Sequence, residues 1–162
     1  MEAQSYRLTC EDAPSIEYMA RFIAKTQQKF TQRGGVRPFG VSSMITGFSA
    51  DGSPQLYLTD PAGTFSAWKA NAIGGRNEKA VREFLEKSWT QGLNEDEAVR
   101  LAVKALLEVV DSGSKNMEVA IMRRGSPVVM MAEDALQTVI EEIEKEIEAA
   151  KAKKEAEDQA RK

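Results

Sequence analysis

Two turn signals fall close together inside one apolar stretch, Ala50-Asp51-Gly52-Ser53-Pro54 and Asp60-Pro61-Ala62-Gly63. Gly accepts positive φ at little cost, Asp bonds its own backbone locally, and Pro cannot donate to a strand ladder. The turns divide Val41–Phe48, Gln55–Thr59 and Thr64–Lys69. The first is rich in small, apolar and β-branched residues, the second alternates polar and apolar residues, and all three read as strands. Short strands joined by tight turns pair with their neighbours, so the spacing predicts a three-stranded antiparallel meander. Simple alternation puts Phe65 and Trp68 on opposite faces. Val41–Phe48, built of small, apolar and β-branched residues, reads as a strand buried on both faces or nearly so.

Helical periodicity surrounds the meander. A first helix is expected from near Pro14, capped by Thr9 or Asp12, with Ile16, Met19, Ala20, Ile23 and Phe30 on its apolar side and an end before Gly34-Gly35. Lys25, Lys29 and Arg33 recur on one exposed side of it, the ordinary pattern of a solvated face. After the meander comes a helix from about Asn77 to Trp89, turned inward by Val81, Phe84, Leu85 and Trp89. Asn94 then caps another, with Glu97 completing a capping box. Its stripe is Ala98, Leu101, Ala102, Ala105, Leu106 and Val109, ending before Gly113. A hairpin is expected from Met117–Met122 and Val128–Met131, and a last helix from near Glu133 with Leu136, Val139, Ile140, Ile143 and Ile147 inward. The fold class is α+β. Residues 1–150 read as one domain, and 151–162, made of Ala, charges and one Gln, as a charged C-terminal tail unable to pack.

Composition removes several function classes. The net charge of −3 gives no basic excess for nucleic acid, and no apolar run approaches membrane-spanning length. There is no histidine, so the usual general base, the commonest metal ligand and every Ser-His or Cys-His pair are missing. The single cysteine, Cys10, has acidic neighbours in Glu11 and Asp12 and reads as passive; it fits a reducing compartment. Met1-Glu2-Ala3-Gln4 shows no secretory signal. Asp60 belongs to its turn rather than to acid–base chemistry. The pairs Gly34-Gly35 and Gly74-Gly75 lack phosphate-loop spacing. Phe65, Trp68, Phe84 and Trp89 read as core aromatics, and Arg123-Arg124 as an exposed hairpin tip. Lys151, Lys153 and Lys154 are diluted by Glu155, Glu157 and Asp158. No cofactor, metal or catalytic residue is indicated.

Five stretches together resemble the alpha subunits of the 20S proteasome: Glu2-Ala3-Gln4-Ser5-Tyr6-Arg7-Leu8-Thr9, Arg37-Pro38-Phe39-Gly40-Val41-Ser42, Thr59-Asp60-Pro61-Ala62-Gly63-Thr64, Trp68-Lys69-Ala70-Asn71-Ala72-Ile73-Gly74 and Val81-Arg82-Glu83-Phe84-Leu85-Glu86-Lys87. Within that family, the helix after Pro14, the run Ala105–Val110 and the Glu/Lys-rich last helix are nearest to the type-7 branch.

The resemblance implies an αββα sandwich of the Ntn-hydrolase type, a non-catalytic structural role in the outer ring, and a contribution to ubiquitin-dependent degradation in cytoplasm and nucleus. Its partners would be other proteasome alpha and beta subunits and, indirectly, regulatory particles, with neither nucleic acid nor membrane. Catalytic relatives use an N-terminal threonine, where this chain shows Met1 and, beside the corresponding turn, Ala72-Ile73-Gly74-Gly75. The resemblance covers residues 2–150 and implies that the N-terminal part of the domain, with its opening strands, lies outside these residues, as in a fragment, a truncated gene model or an isoform. One sheet would then be incomplete, with an apolar face uncovered and an edge open. Arg37, Pro38, Phe39, Gly40, Asp60, Gly63, Trp68, Lys69 and Gly74 are the structural motif residues, and Lys25, Lys29 and Arg33 the candidate subunit contacts. Two other readings stay open: a threonine-type peptidase of the same fold, and a stand-alone interaction module using the charged C-terminal helix.

Overall fold

The computed structural model describes residues 1–75, 77–110 and 117–160, without the side chains of 150–160. The expected helix end before Gly113 and the side chains of the tail lie outside the described residues. The chain forms two compact units, Met1–Ile73 and Gly74–Lys162.

The first unit contains α1 (Glu2–Cys10), α2 (Ile16–Gln32), β1 (Ser43–Phe48), β2 (Pro54–Thr59) and β3 (Phe65–Trp68). α1 was not expected. Its apolar side is thin, with Ala3, Tyr6 and Cys10 alone at helical spacing, and none of its residues is buried. It ends on Glu11, a non-glycine residue held at φ 57°. Tyr6 and Tyr18 bring its flank to α2, with ring centroids 4.5 Å apart. The Tyr18 hydroxyl donates to Glu2 Oε1 at 3.0 Å.

Ser15, and neither expected residue, caps α2: its Oγ accepts from the Tyr18 N–H at 3.1 Å. Thr9 lies inside α1, where its hydroxyl donates to the Ser5 carbonyl, and Asp12 accepts from the Ala13 N–H. Pro14 falls before the cap instead of in the first turn.

The meander forms as expected, in the order β1-β2-β3 and antiparallel throughout. Its register aligns Ile45 with Tyr57 and Tyr57 with Ala67, and Thr59 with Phe65. Residues aligned in this way share a face, so Ser43, Ile45, Gly47, Tyr57, Thr59 and Phe65 all point to one side. α2 covers that side. Ala20 and Ala24 are its buried small residues, one turn apart. Their size lets the helix approach until a Cβ on Gly47 would meet Ile16 and one on Gly63 would meet Gln28. Thr59, beneath the helix, is fully buried.

The opposite face carries Met44, Phe48, Leu56, Leu58 and Trp68, none of them buried. The expectation that β1 is enclosed on both faces is therefore corrected: Met44 is 39% exposed, because within this unit the one covering helix lies on the other side. The aromatics are likewise less enclosed than expected, with Phe65 exposed and Trp68, Phe84 and Trp89 half-buried.

The second unit contains α3 (Glu78–Ser88), α4 (Glu95–Leu107), β4 (Ala120–Ile121), β5 (Val129–Met130) and α5 (Glu133–Ala160). Asn94 and Glu97 form the expected capping box, each side chain accepting from the other's backbone N–H at 2.9 Å. Leu136, Ile140 and Ile143 of α5 pack with Val103 and Met117 into the core of this unit. The α5 stripe was legible, whereas that of α4 was right only in part: Ala105 is buried, and Leu101 and Val109 are half-buried. Val103 is wholly buried, while Leu106 is 37% exposed and Ala98 and Ala102 are exposed. The hairpin pairs over two residues on each strand, less than the apolar runs suggested.

Candidate interface surfaces

Arg37-Pro38-Phe39-Gly40 occupies the irregular segment between α2 and β1, and all four residues are exposed. This segment leads into β1, which among the described residues is paired with β2 alone. Phe39 is held by the Phe30 ring at 4.5 Å. Gln27, buried in α2, donates from Nε2 to the Val41 carbonyl at 2.8 Å, which ties the start of the strand to the helix. Between helix and strand opens a cavity of about 310 Å³ whose walls include Phe22, Ile23, Thr26, Phe39 and Val41. Neither Phe22 nor Gln27 was singled out from the sequence; a glutamine gives no sign there that it will be buried and bonded to a strand.

Asp60 and Gly63 shape the second turn. The Asp60 carboxylate accepts from the Thr64 N–H at 3.0 Å and from the Thr64 hydroxyl at 2.7 Å. The Thr64 hydroxyl leads in holding Asp60 below the usual carboxylate range, so it is an ionised structural acceptor. Asp51 plays the same part in the first turn. Ser49 first, then Ser53, bonds its carboxylate and lowers its pKa to about 2. At Gly63, φ is +90° and α2 leaves no room for a side chain.

Trp68 closes β3 opposite Leu56 on the sheet face away from α2, and its indole N–H donates to Ser66 Oγ at 2.7 Å. Lys69 follows it, exposed. Gly74 belongs to the second unit, where at φ +80° its N–H donates to Glu78 Oε2 at 3.0 Å, at the approach to α3. Lys25 and Lys29 are exposed along one row of α2, as their spacing predicts, and Arg33, also exposed, follows as the extended C-cap residue. Arg21, on the β3 side of the helix, pairs with Glu17 at 2.8 Å and stands over the Phe65 ring at 5.8 Å.

The named residues do not converge on one cleft. Arg37–Gly40 and the basic row share the C-terminal half of α2. Asp60 and Gly63 lie under its other side, and Trp68 is on the far sheet face. In the second unit several charged side chains pair with one another. Arg100 reaches Glu142 and, at 2.9 Å, Glu146, which also accepts from Lys104 at 2.7 Å. Arg123 of the hairpin tip pairs with Glu95 at the start of α4, and that pairing lowers the Glu95 pKa. Among the described residues no three acidic or thiol side chains cluster as metal ligands would, and no helix is long and apolar enough to cross a membrane.

Comparison with known proteins bears out the resemblance. The family profile described as "Proteasome subunit" matches residues 1–122. The chain is 52% identical over 159 residues to proteasome subunit alpha type-7 of Dictyostelium discoideum, covering 98% of this chain and 63% of that relative. It is 54% identical over 157 residues to proteasome subunit alpha type-7 of Cicer arietinum, covering 96% and 62%. With proteasome subunit alpha type-8 of Mus musculus the identity is 54% over 152 residues, covering 93% and 60%. The chain thus spans about three fifths of the length of these curated relatives.

Proposed function

The chain belongs to the proteasome subunit family, and from that premise we propose that it serves as a non-catalytic structural subunit of the outer alpha ring of the 20S proteasome. The observation that carries this reading is identity above one half, across nearly the whole chain, to relatives named as alpha subunits. It works by offering surfaces. Lys25, Lys29, Arg33 and the Arg37–Gly40 segment contact neighbouring subunits.

Lack of peptidase activity is the finer part of the proposal. The chain has no histidine, and the carboxylates with lowered pKa are engaged in turns and ion pairs instead of facing a cleft. The role extends to ubiquitin-dependent protein degradation, to alpha and beta subunits and, through them, regulatory particles as partners, and to residence in cytoplasm and nucleus.

Affinity purification of the tagged chain from cells tests this reading. Alpha and beta subunits should co-purify, and the purified chain alone should not turn over fluorogenic peptides. A chain recovered free of other subunits, or one that cleaves the peptides unaided, overturns it.

A further inference from the structure

We infer that Ser126, at the tip of the hairpin between β4 and β5, is a phosphorylation site for a protein kinase that reads proline just after the acceptor and arginine three residues before it. The chain has two Ser-Pro pairs, Ser53-Pro54 and Ser126-Pro127, and the structure separates them. Ser53 is locked into the first turn. Its N–H and its hydroxyl both donate to Asp51 Oδ1, at 3.0 and 2.9 Å, and its carbonyl accepts from the Ser49 hydroxyl at 3.0 Å. Pro54 beside it opens β2. Phosphoryl transfer needs an acceptor hydroxyl free to meet the kinase's catalytic base.

Ser126 meets that need. It is exposed, as is every residue from Met122 to Val128. Its hydroxyl has no hydrogen-bond partner among the described residues. The Ser126 N–H donates to the Arg123 carbonyl at 3.2 Å, and Gly125 makes the turn at φ 73°. Below it the hairpin pairs over only two residues on each strand, so the tip opens without breaking a long ladder. Pro127 has no N–H and holds Ser126 extended, the form in which a kinase cleft receives its acceptor. Charge separates the two sites as well. Arg123 and Arg124 stand three and two residues before Ser126, where Ser53 has Ala50 and Asp51. An acidic kinase surface attracts the first pattern and is repelled by Asp51 in the second. Arg123 pairs with Glu95, but both side chains are half-exposed, and a surface pair of that kind gives way readily to another carboxylate.

In the reaction, Ser126 Oγ bonds to the γ-phosphorus of MgATP while the bond from that phosphorus to the β,γ-bridging oxygen breaks. ADP leaves, and the hydroxyl proton passes to the kinase's aspartate base.

The purified 162-residue chain, incubated with MgATP and a recombinant proline-directed kinase that also selects arginine three residues before the acceptor, tests the proposal by phosphopeptide mass spectrometry. The expected product carries one phosphoryl group, on Ser126, with Ser53 untouched. Ser126→Ala should abolish the product. Arg123→Ala and Pro127→Ala should each slow its formation at least about tenfold, since each removes a feature the kinase site is built to read. Glu95→Gln releases Arg123 without removing it and should not slow the reaction, which separates recognition from damage to the hairpin. No incorporation, modification of Ser53 in place of Ser126, rates untouched by Arg123→Ala and Pro127→Ala, or slowing by Glu95→Gln equal to that of Arg123→Ala overturns the proposal.

Discussion

Gly63 lies so close beneath Gln28 that a Cβ at position 63 would fall 2.4 Å from Gln28 Cβ and 2.8 Å from the Ala24 carbonyl oxygen. This contact sets how near α2 comes to the second turn, and φ of +90° there is one that side-chain-bearing residues rarely adopt. Gly63→Ala should cost about 2–4 kcal/mol, from left-handed backbone strain plus overpacking. Hydrogen exchange of the β2 amides would show the loss. Gly47→Ala should cost less, since its methyl would meet only side-chain atoms of Ile16, which can rotate away.

Asp51 gives a pH test. Its pKa of about 2 in the folded chain is held there by Ser49 first and Ser53 next. An unfolded Asp titrates near ~4. A depressed carboxylate stabilises the fold fully above the unfolded value and loses that contribution as pH falls through the folded one. The turn should therefore weaken between about pH 4 and pH 2. Carboxyl NMR should place Asp51 near the low value, and Ser49→Ala should move it back toward the ordinary range.

Glu11 closes α1 at φ 57°, where glycine is favoured. Glu11→Gly should stabilise the end of α1 by about 1 kcal/mol, because the helix stop no longer places a Cβ in the left-handed region. Slower exchange of the amides near Cys10 would report it, and no change would mean the stop is not a strain point.

In the second unit Ile143 is fully buried while Leu106 is 37% exposed. Ile143→Ala should cost about 2–5 kcal/mol and Leu106→Ala well under half of that. Urea unfolding of the two variants separates them. Equal losses would mean that the α4 face is turned differently.

That contrast also marks what the sequence makes legible. The meander was readable because two Asp/Gly/Pro turns leave short runs only adjacent partners. α5 was readable because its isoleucines recur on one side. Asn94 and Glu97 announce a capping box by chemistry alone. On α4, by contrast, apolar residues occur on several sides, so Val103 could not be told from Leu106 without knowing which neighbour packs where. α1 has only Ala3, Tyr6 and Cys10 on one side, too small a stripe to announce a helix. Gln27 became a strand anchor only because the chain returns beside it at Val41, a contact across 14 residues that no local pattern encodes.

The central claim is that this chain acts by offering exposed surface to neighbouring subunits in a larger assembly. The most direct measurement compares incorporation of the wild-type chain and Lys25→Glu/Lys29→Glu into proteasome particles by native mass spectrometry, with circular dichroism of each purified chain as the check on folding. Lys25 and Lys29 are exposed on one row of α2. The expected result is a folded variant that no longer enters particles while the wild-type chain does. A folded Lys25→Glu/Lys29→Glu chain that enters particles as readily as wild type would contradict the claim.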